Sequence, residues 1–139
     1  MRKEVNRTLG LFIAVCVAGG VSAAQSQGKH TIAPDPTVSD GDKYHVILEN
    51  EHVRVLRYHD APGDKTHLHH HPHPFVMYAL APFDRELTFP DGSRRERHFG
   101  PGSIDWVPAQ THVGQNIGNA PTEGLIIEVK SCVPAKQAQ

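Results

Sequence analysis

Five of the chain's 11 histidines fall between positions 67 and 73: His67, His69, His70, His71 and His73. A neutral imidazole offers one lone pair to a borderline divalent ion, so Zn, Fe, Cu, Mn and Ni all suit such a cluster. In an extended chain alternate side chains share a face, which turns His67, His69, His71 and His73 one way and His70 the other. Three His-x-His pairs are open to an ion on that face: His67 with His69, His69 with His71, and His71 with His73. Pro72 and Pro74 break the strand near the last pair. His30, His45, His52, His59 and His98 stand alone, and packing or exposure accounts for each. Asp105 could serve as a base, but it reads more simply as a surface carboxylate.

Strands must carry these side chains. Short runs with β-branched or aromatic residues, separated by turn signals, cover 44–49, 52–59, 75–80, 85–89, 94–99, 103–107, 111–117 and 122–130. Strands at this spacing predict an all-β sandwich or barrel. Apolar residues at i, i+3, i+4 and i+7 are missing from any long stretch beyond the N-terminal segment, so helix is minor. Pro90-Asp91-Gly92-Ser93 predicts a tight hairpin turn. The hairpin carries Arg85, Glu86, Arg94, Arg95, Glu96 and Arg97, which read as a solvated face of mixed sign. Trp106 reads as barrel packing.

Two segments resemble the paired motifs of the cupin superfamily. Gly63-Asp64-Lys65-Thr66-His67-Leu68-His69-His70-His71 is similar to the first, a glycine followed after five residues by His-x-His. Gly102-Ser103-Ile104-Asp105-Trp106-Val107-Pro108, then His112-Val113-Gly114-Gln115-Asn116, is similar to the second. The run Glu49 to Val55 also resembles a segment of small bacterial cupins. With its flanking strands the resemblance spans Tyr44 to Lys130 and implies a single jelly-roll β-barrel. It selects His69, His71 and His112 as ligands of one divalent transition metal. His67 and His73 become extra ligands or partners that orient a ligand. The pattern departs from the family at Phe75, where a glutamate ligand is usual, and at Gln110, near where a glycine is usual. Phe75 and Met77 share a face and would line an apolar pocket beside the ion.

Three neutral imidazoles leave the ion's charge uncompensated and part of its coordination sphere open. Such a centre favours a small anionic or chelating molecule. The resemblance implies dioxygenase-like chemistry or Lewis-acid isomerisation or elimination. The rival reading is a non-enzymatic periplasmic protein that sequesters metal or holds a small ligand. A homodimer is the expected assembly, since paired cupin barrels are frequent.

The ends of the chain bear on location. Arg2, Lys3 and Arg7 precede an apolar run from Leu9 to Val21, followed by Ser22, Ala23 and Ala24. That is the layout of a secretory signal peptide over 1–24, too short for a membrane span. Cleavage after Ala24 would leave a flexible leader over 25–43, the domain over 44–130 and a tail over 131–139. It would remove Cys16 and leave Cys132 as a spare thiol, with no internal disulfide. It would also leave 11 basic against 14 acidic residues, a net negative charge that argues against nucleic-acid binding. The mature protein is thus expected in the periplasm or outside the cell, with no membrane attachment.

Overall fold

The computed structural model describes residues 32–130. The N-terminal apolar run with the cleavage site expected after Ala24, the first part of the expected leader, and the expected tail with Cys132 lie outside the described residues. Among those described, one short helix precedes nine strands: α1 (Pro36–Ser39), β1 (Tyr44–Glu49), β2 (Val53–Asp60), β3 (His69–His71), β4 (Phe75–Ala79), β5 (Phe83–Thr88), β6 (Arg94–Phe99), β7 (Ile104–Val107), β8 (Gln110–Asn116) and β9 (Thr122–Val129). They pair antiparallel as two sheets, one in the order β1-β2-β9-β4-β7 and the other β3-β8-β5-β6. The all-β jelly-roll expectation holds in this two-sheet form.

Alternation along the strands builds the core. Tyr44, Leu56, Tyr58, Phe75, Met77, Ala79, Phe83 and Ile126 are buried together, with Phe99 and Val107 packed against them. Burying a large apolar side chain contributes about 1.5–3 kcal/mol, so this cluster is the main source of cohesion. Each of the two motif glycines sits where a side chain would strain the backbone: Gly63 has φ +83° and Gly102 has φ +74°. The glycine positions of both motifs are therefore turn requirements. The predicted hairpin is present, with the Phe89 N–H donating to Ser93 O across the turn at 2.9 Å.

Three expectations need correction. Residues 34–43 are not a flexible leader: the carboxylate of Asp35 caps α1 by accepting from the Thr37 N–H at 3.0 Å, with Pro36 opening the helix. Asp35 also pairs with Arg54 at 2.6 Å, and the His70 N–H donates to Pro34 O at 2.8 Å. Polar anchors, which leave no apolar periodicity, tie this segment down. Trp106 does not pack inside: Asp105 and Val107 take the inward positions of β7, leaving the Trp106 ring 58% exposed. Asp105 is accordingly half-buried and paired with Arg97, not a free surface carboxylate. Among the described residues no helix is long and apolar enough to cross a membrane.

Candidate metal centre

β3 is only three residues long, and its pairing with β8 sets the site. His69 lies opposite His112, His70 opposite Thr111, and His71 opposite Gln110. Alternation then turns His69, His71 and His112 inward, each at most 4% exposed. One nitrogen of each ring lies within 4.8 Å of the others. The ring centroids are 4.6 Å apart for His69 and His112, 5.1 Å for His69 and His71, and 5.5 Å for His71 and His112.

Hydrogen bonds fix which nitrogen carries the lone pair. His69 Nδ1–H donates to His67 O at 2.9 Å, and His71 Nδ1–H donates to the Glu128 carboxylate at 3.0 Å. Both rings therefore present Nε2 as the acceptor, in the manner of metal-binding histidines oriented by a carbonyl or carboxylate. Burial holds all three rings neutral. The His69 pKa falls to about 4 through desolvation and the neighbouring His71, and that of His112 to about 2 through desolvation and its two histidine neighbours. Desolvation also lowers His71, against the pull of Glu128.

The donor set fits a divalent transition ion. Buried polar atoms are nearly always partnered, yet His112 Nδ1 is buried with no hydrogen-bond partner among the described residues. No described backbone or carboxylate group has claimed that ring, and its lone pair is free for an ion. The Tyr44 hydroxyl lies 3.3 Å from His69 Nε2 and donates to the lone pair that a metal would take. Burial pushes the Tyr44 pKa up, so the phenol keeps its proton at neutral pH.

The other histidines of the cluster are set aside by their neighbours. Asp40, buried, accepts from the His67 N–H at 3.0 Å and holds the His67 ring at 3.0 Å, leaving that side chain 80% exposed. His67 serves the site through its carbonyl, which orients His69. His70 faces away, its Nδ1 2.9 Å from Thr111 Oγ1. His73 lies half-buried in the bend after β3, outside the group of three. His45, His52, His59 and His98 are exposed.

Beside His71 and His112 lies a cavity of about 140 Å³. Phe75 and Met77 line it, with the Phe75 ring 4.7 Å from that of His71. At Phe75, where the resemblance implies a glutamate ligand in the family pattern, the cavity wall is apolar. Glu128, the carboxylate bonded to the triad, stands opposite Phe75 in the register of β4 and β9 and is spent on His71 Nδ1 and on Arg54 at 2.6 Å.

Arg85 corrects the reading of the hairpin as a solvated face. It is 7% exposed, pairs with Asp60 at 3.0 Å and lines the cavity. Arg95 and Arg97 line it as well, and Arg97 pairs with Asp105. A signal for Arg85 was available, because Phe83, Arg85 and Leu87 alternate on one face of β5 and two of the three are apolar. No motif marks Tyr44, Tyr58, Asp60 or Glu128, which reach the site only through tertiary contact.

No protein-family model matches the chain, and no curated protein does. Solved structures do match. A cupin domain from Bordetella pertussis Tohama I is 24% identical, with a TM-score of 0.59 over 63% of this chain and 92% of its own. An RmlC-like cupin family protein with a double-stranded β-helix fold, from Methanocaldococcus jannaschii, is 17% identical, with a TM-score of 0.52 over 63% of this chain and 78% of its own. Oxalate decarboxylase from Bacillus subtilis is 25% identical, with a TM-score of 0.47 over 58% of this chain and 22% of its own. The chain has the cupin fold, and its buried histidine triad could hold a metal ion.

Proposed function

We propose that this cupin-fold chain binds one divalent transition metal (Fe, Mn, Ni, Zn or Cu) at His69, His71 and His112. At that centre it turns over a small anionic or chelating molecule by dioxygenase-like or Lewis-acid chemistry. The observation that carries this reading is a triad of buried, neutral imidazoles beside a cavity with an apolar wall of Phe75 and Met77. Bound there, an ion would supply Lewis acidity or, if redox-active, electron transfer. The residues of the chain do the rest: Glu128 and the His67 carbonyl hold two rings in register, Phe75 and Met77 exclude water, and Tyr44 holds a proton beside His69. Elemental analysis of protein from its native compartment, followed by oxygen uptake and turnover assays on the iron- and manganese-loaded forms, tests the reading. Stoichiometric metal with turnover supports it. Tightly held metal with no open coordination position would favour sequestration instead.

We also propose export to the periplasm or beyond, supported by the basic start, the apolar run and Ser22-Ala23-Ala24. N-terminal sequencing of the mature protein should begin at Gln25, or within a residue or two. Full-length protein found only in the cytoplasm would overturn this.

A further inference from the structure

Three carboxylates are buried among the described residues: Asp40, Asp60 and Glu128. Two of them face a guanidinium, Asp60 that of Arg85 at 3.0 Å and Glu128 that of Arg54 at 2.6 Å. Asp40, only 2% exposed, pairs with histidine alone: Oδ1 lies 3.0 Å from His67 Nδ1, and Oδ2 lies 3.9 Å from His69 Nδ1. Its two oxygens also accept from the His67 N–H at 3.0 and 3.2 Å, and Oδ2 accepts from Ser39 Oγ at 2.8 Å. Acceptance on both oxygens is the behaviour of an ionised carboxylate. A buried charge is costly unless an opposite charge answers it, and among the described residues no lysine or arginine pairs with Asp40.

The turn that carries Asp40 is built tightly. Asp40 closes α1, its N–H donating to Pro36 O at 2.9 Å, and its own carbonyl accepts from the N–H groups of Lys43 and Tyr44 at 2.9 and 3.0 Å. A Cβ on Gly41 would come within 2.8 Å of Thr37 O, so the next residue has to lack a side chain. This turn fixes both ends of one imidazole. At Nδ1, Asp40 holds the His67 N–H, and the His67 carbonyl accepts from the His69 ring at 2.9 Å. At Nε2, Tyr44 brings its hydroxyl to 3.3 Å, with its ring centroid 5.3 Å from that of His69. β3 is an edge strand of three residues, with only β8 beside it in the sheet. The segment from Pro34 to Tyr44 supplies the support that a second neighbouring strand would give, through Asp40 and through the bond from the His70 N–H to Pro34 O at 2.8 Å.

We infer that Asp40 is a positioning residue of the metal centre: it locks His69 in the tautomer that offers Nε2 to the ion, and it is a buried counter-charge for an ion held by three neutral imidazoles. The inference rests on the metal reading above for the ion itself. It also gives the apolar wall at Phe75 a consequence. With a negative charge placed behind the histidines and none among the ligands, the charge of the ion is offset while its open positions stay free for a small molecule.

Two arms separate this inference from the metal reading, each run on wild type, Asp40→Ala, Asp40→Asn and Asp42→Asn. The last removes an equal charge from the same turn, where Asp42 is exposed and pairs with Lys43. In the first arm, 15N–1H correlation spectra of the labelled histidine rings report the tautomer of His69 in the metal-free full chain at pH 7. In the second, competition with a chromophoric chelator gives the affinity for cobalt. Wild type should carry the His69 proton on Nδ1. Asp40→Ala releases His67, so it should lose that preference and weaken cobalt binding about tenfold or more, the usual cost of losing a group that orients a ligand. Asp40→Asn keeps an acceptor for the His67 N–H but not the charge, so the tautomer should stay while affinity falls about threefold or more. Asp42→Asn should bind cobalt within twofold of wild type. Cobalt affinity of Asp40→Asn within twofold of wild type overturns the inference, as does an equal loss in Asp42→Asn or an unchanged His69 tautomer in Asp40→Ala. Asp40→Asn decides the matter if Asp40→Ala does not fold. Wild type that holds no cobalt would sink the metal reading and the counter-charge role with it, while the His69 tautomer in Asp40→Ala still decides whether Asp40 positions that ring.

Discussion

At the scale of single residues, the triad depends on groups that never touch an ion. Glu128 accepts from His71 Nδ1 and is fully buried, so it sets both the ring's orientation and the basicity of Nε2. Losing such a partner typically weakens metal binding about 10–100-fold. Glu128→Gln should do so here, measured by competition with a chromophoric chelator, whereas an affinity within twofold of wild type would remove Glu128 from the site. The proposed ligands give a sharper result. His69→Ala, His71→Ala and His112→Ala should each abolish stoichiometric metal, and His70→Ala should leave metal content unchanged because its ring faces Thr111. Equal losses from His69→Ala and His70→Ala would mean that the register of β3 is wrong. Phe75→Glu belongs to the same set: its ring lies against His71, so a carboxylate there should shift metal preference toward harder ions such as Mn and weaken the binding of anions. Unchanged metal preference and anion affinity would show that Phe75 does not face the ion.

At the scale of elements, strand alternation explains both what the sequence disclosed and what it hid. The runs at 44–49 and 94–99 match β1 and β6 at both ends, because turn residues bound them: Gly41-Asp42 and Asn50 for one, Asp91-Gly92-Ser93 and Gly100-Pro101-Gly102 for the other. β3 carries the cluster in only three residues, none of them β-branched, so its place in a sheet could be argued from the histidines alone. Arg85 was misread because charge density in the hairpin masked the inward phase of β5. Tyr44 and Glu128 were invisible in another way: each lies in a run whose pattern specifies a strand and nothing about its neighbour. α1 has its own logic, since Asp35 both caps the helix and pairs with Arg54. Loss of an N-cap residue costs about 0.5–2 kcal/mol, and here an ion pair goes with it. Asp35→Ala should therefore lower the urea midpoint and, by loosening the segment that bonds to His70, raise hydrogen exchange at β3. Exchange at β3 equal to wild type would show that α1 does not support the metal strand.

At the scale of the whole molecule, the buried triad links folding to pH and to metal. His69 and His112 have folded-state pKa values of about 4 and about 2, and His71 is lowered as well, all chiefly by desolvation. In the unfolded chain each returns to its ordinary value of about 6.5. Below that value the unfolded state takes up protons that the folded state refuses, so the stability of the metal-free protein is lost as pH falls. The window opens near pH 6.5 and extends toward pH 4, where His69 accepts its proton in the folded state as well. Each withheld proton contributes a slope of up to about 1.4 kcal/mol per pH unit. Lowered carboxyl pKa values at Glu128, Asp35 and Asp40 act in the same direction, but only in the more acidic range where carboxylates titrate. Urea denaturation of metal-free protein at pH 7, 6 and 5 should therefore show stability falling with pH. In His112→Gln the slope should be smaller by up to one proton, because a residue that cannot titrate replaces the most strongly depressed ring. Bound metal should raise the midpoint at pH 7 and lose that advantage on acidification, since protons and the ion compete for the same lone pairs. A metal-free midpoint that is flat from pH 7 to pH 5, or a His112→Gln slope equal to wild type, would mean that the three rings are not held neutral together in the folded protein.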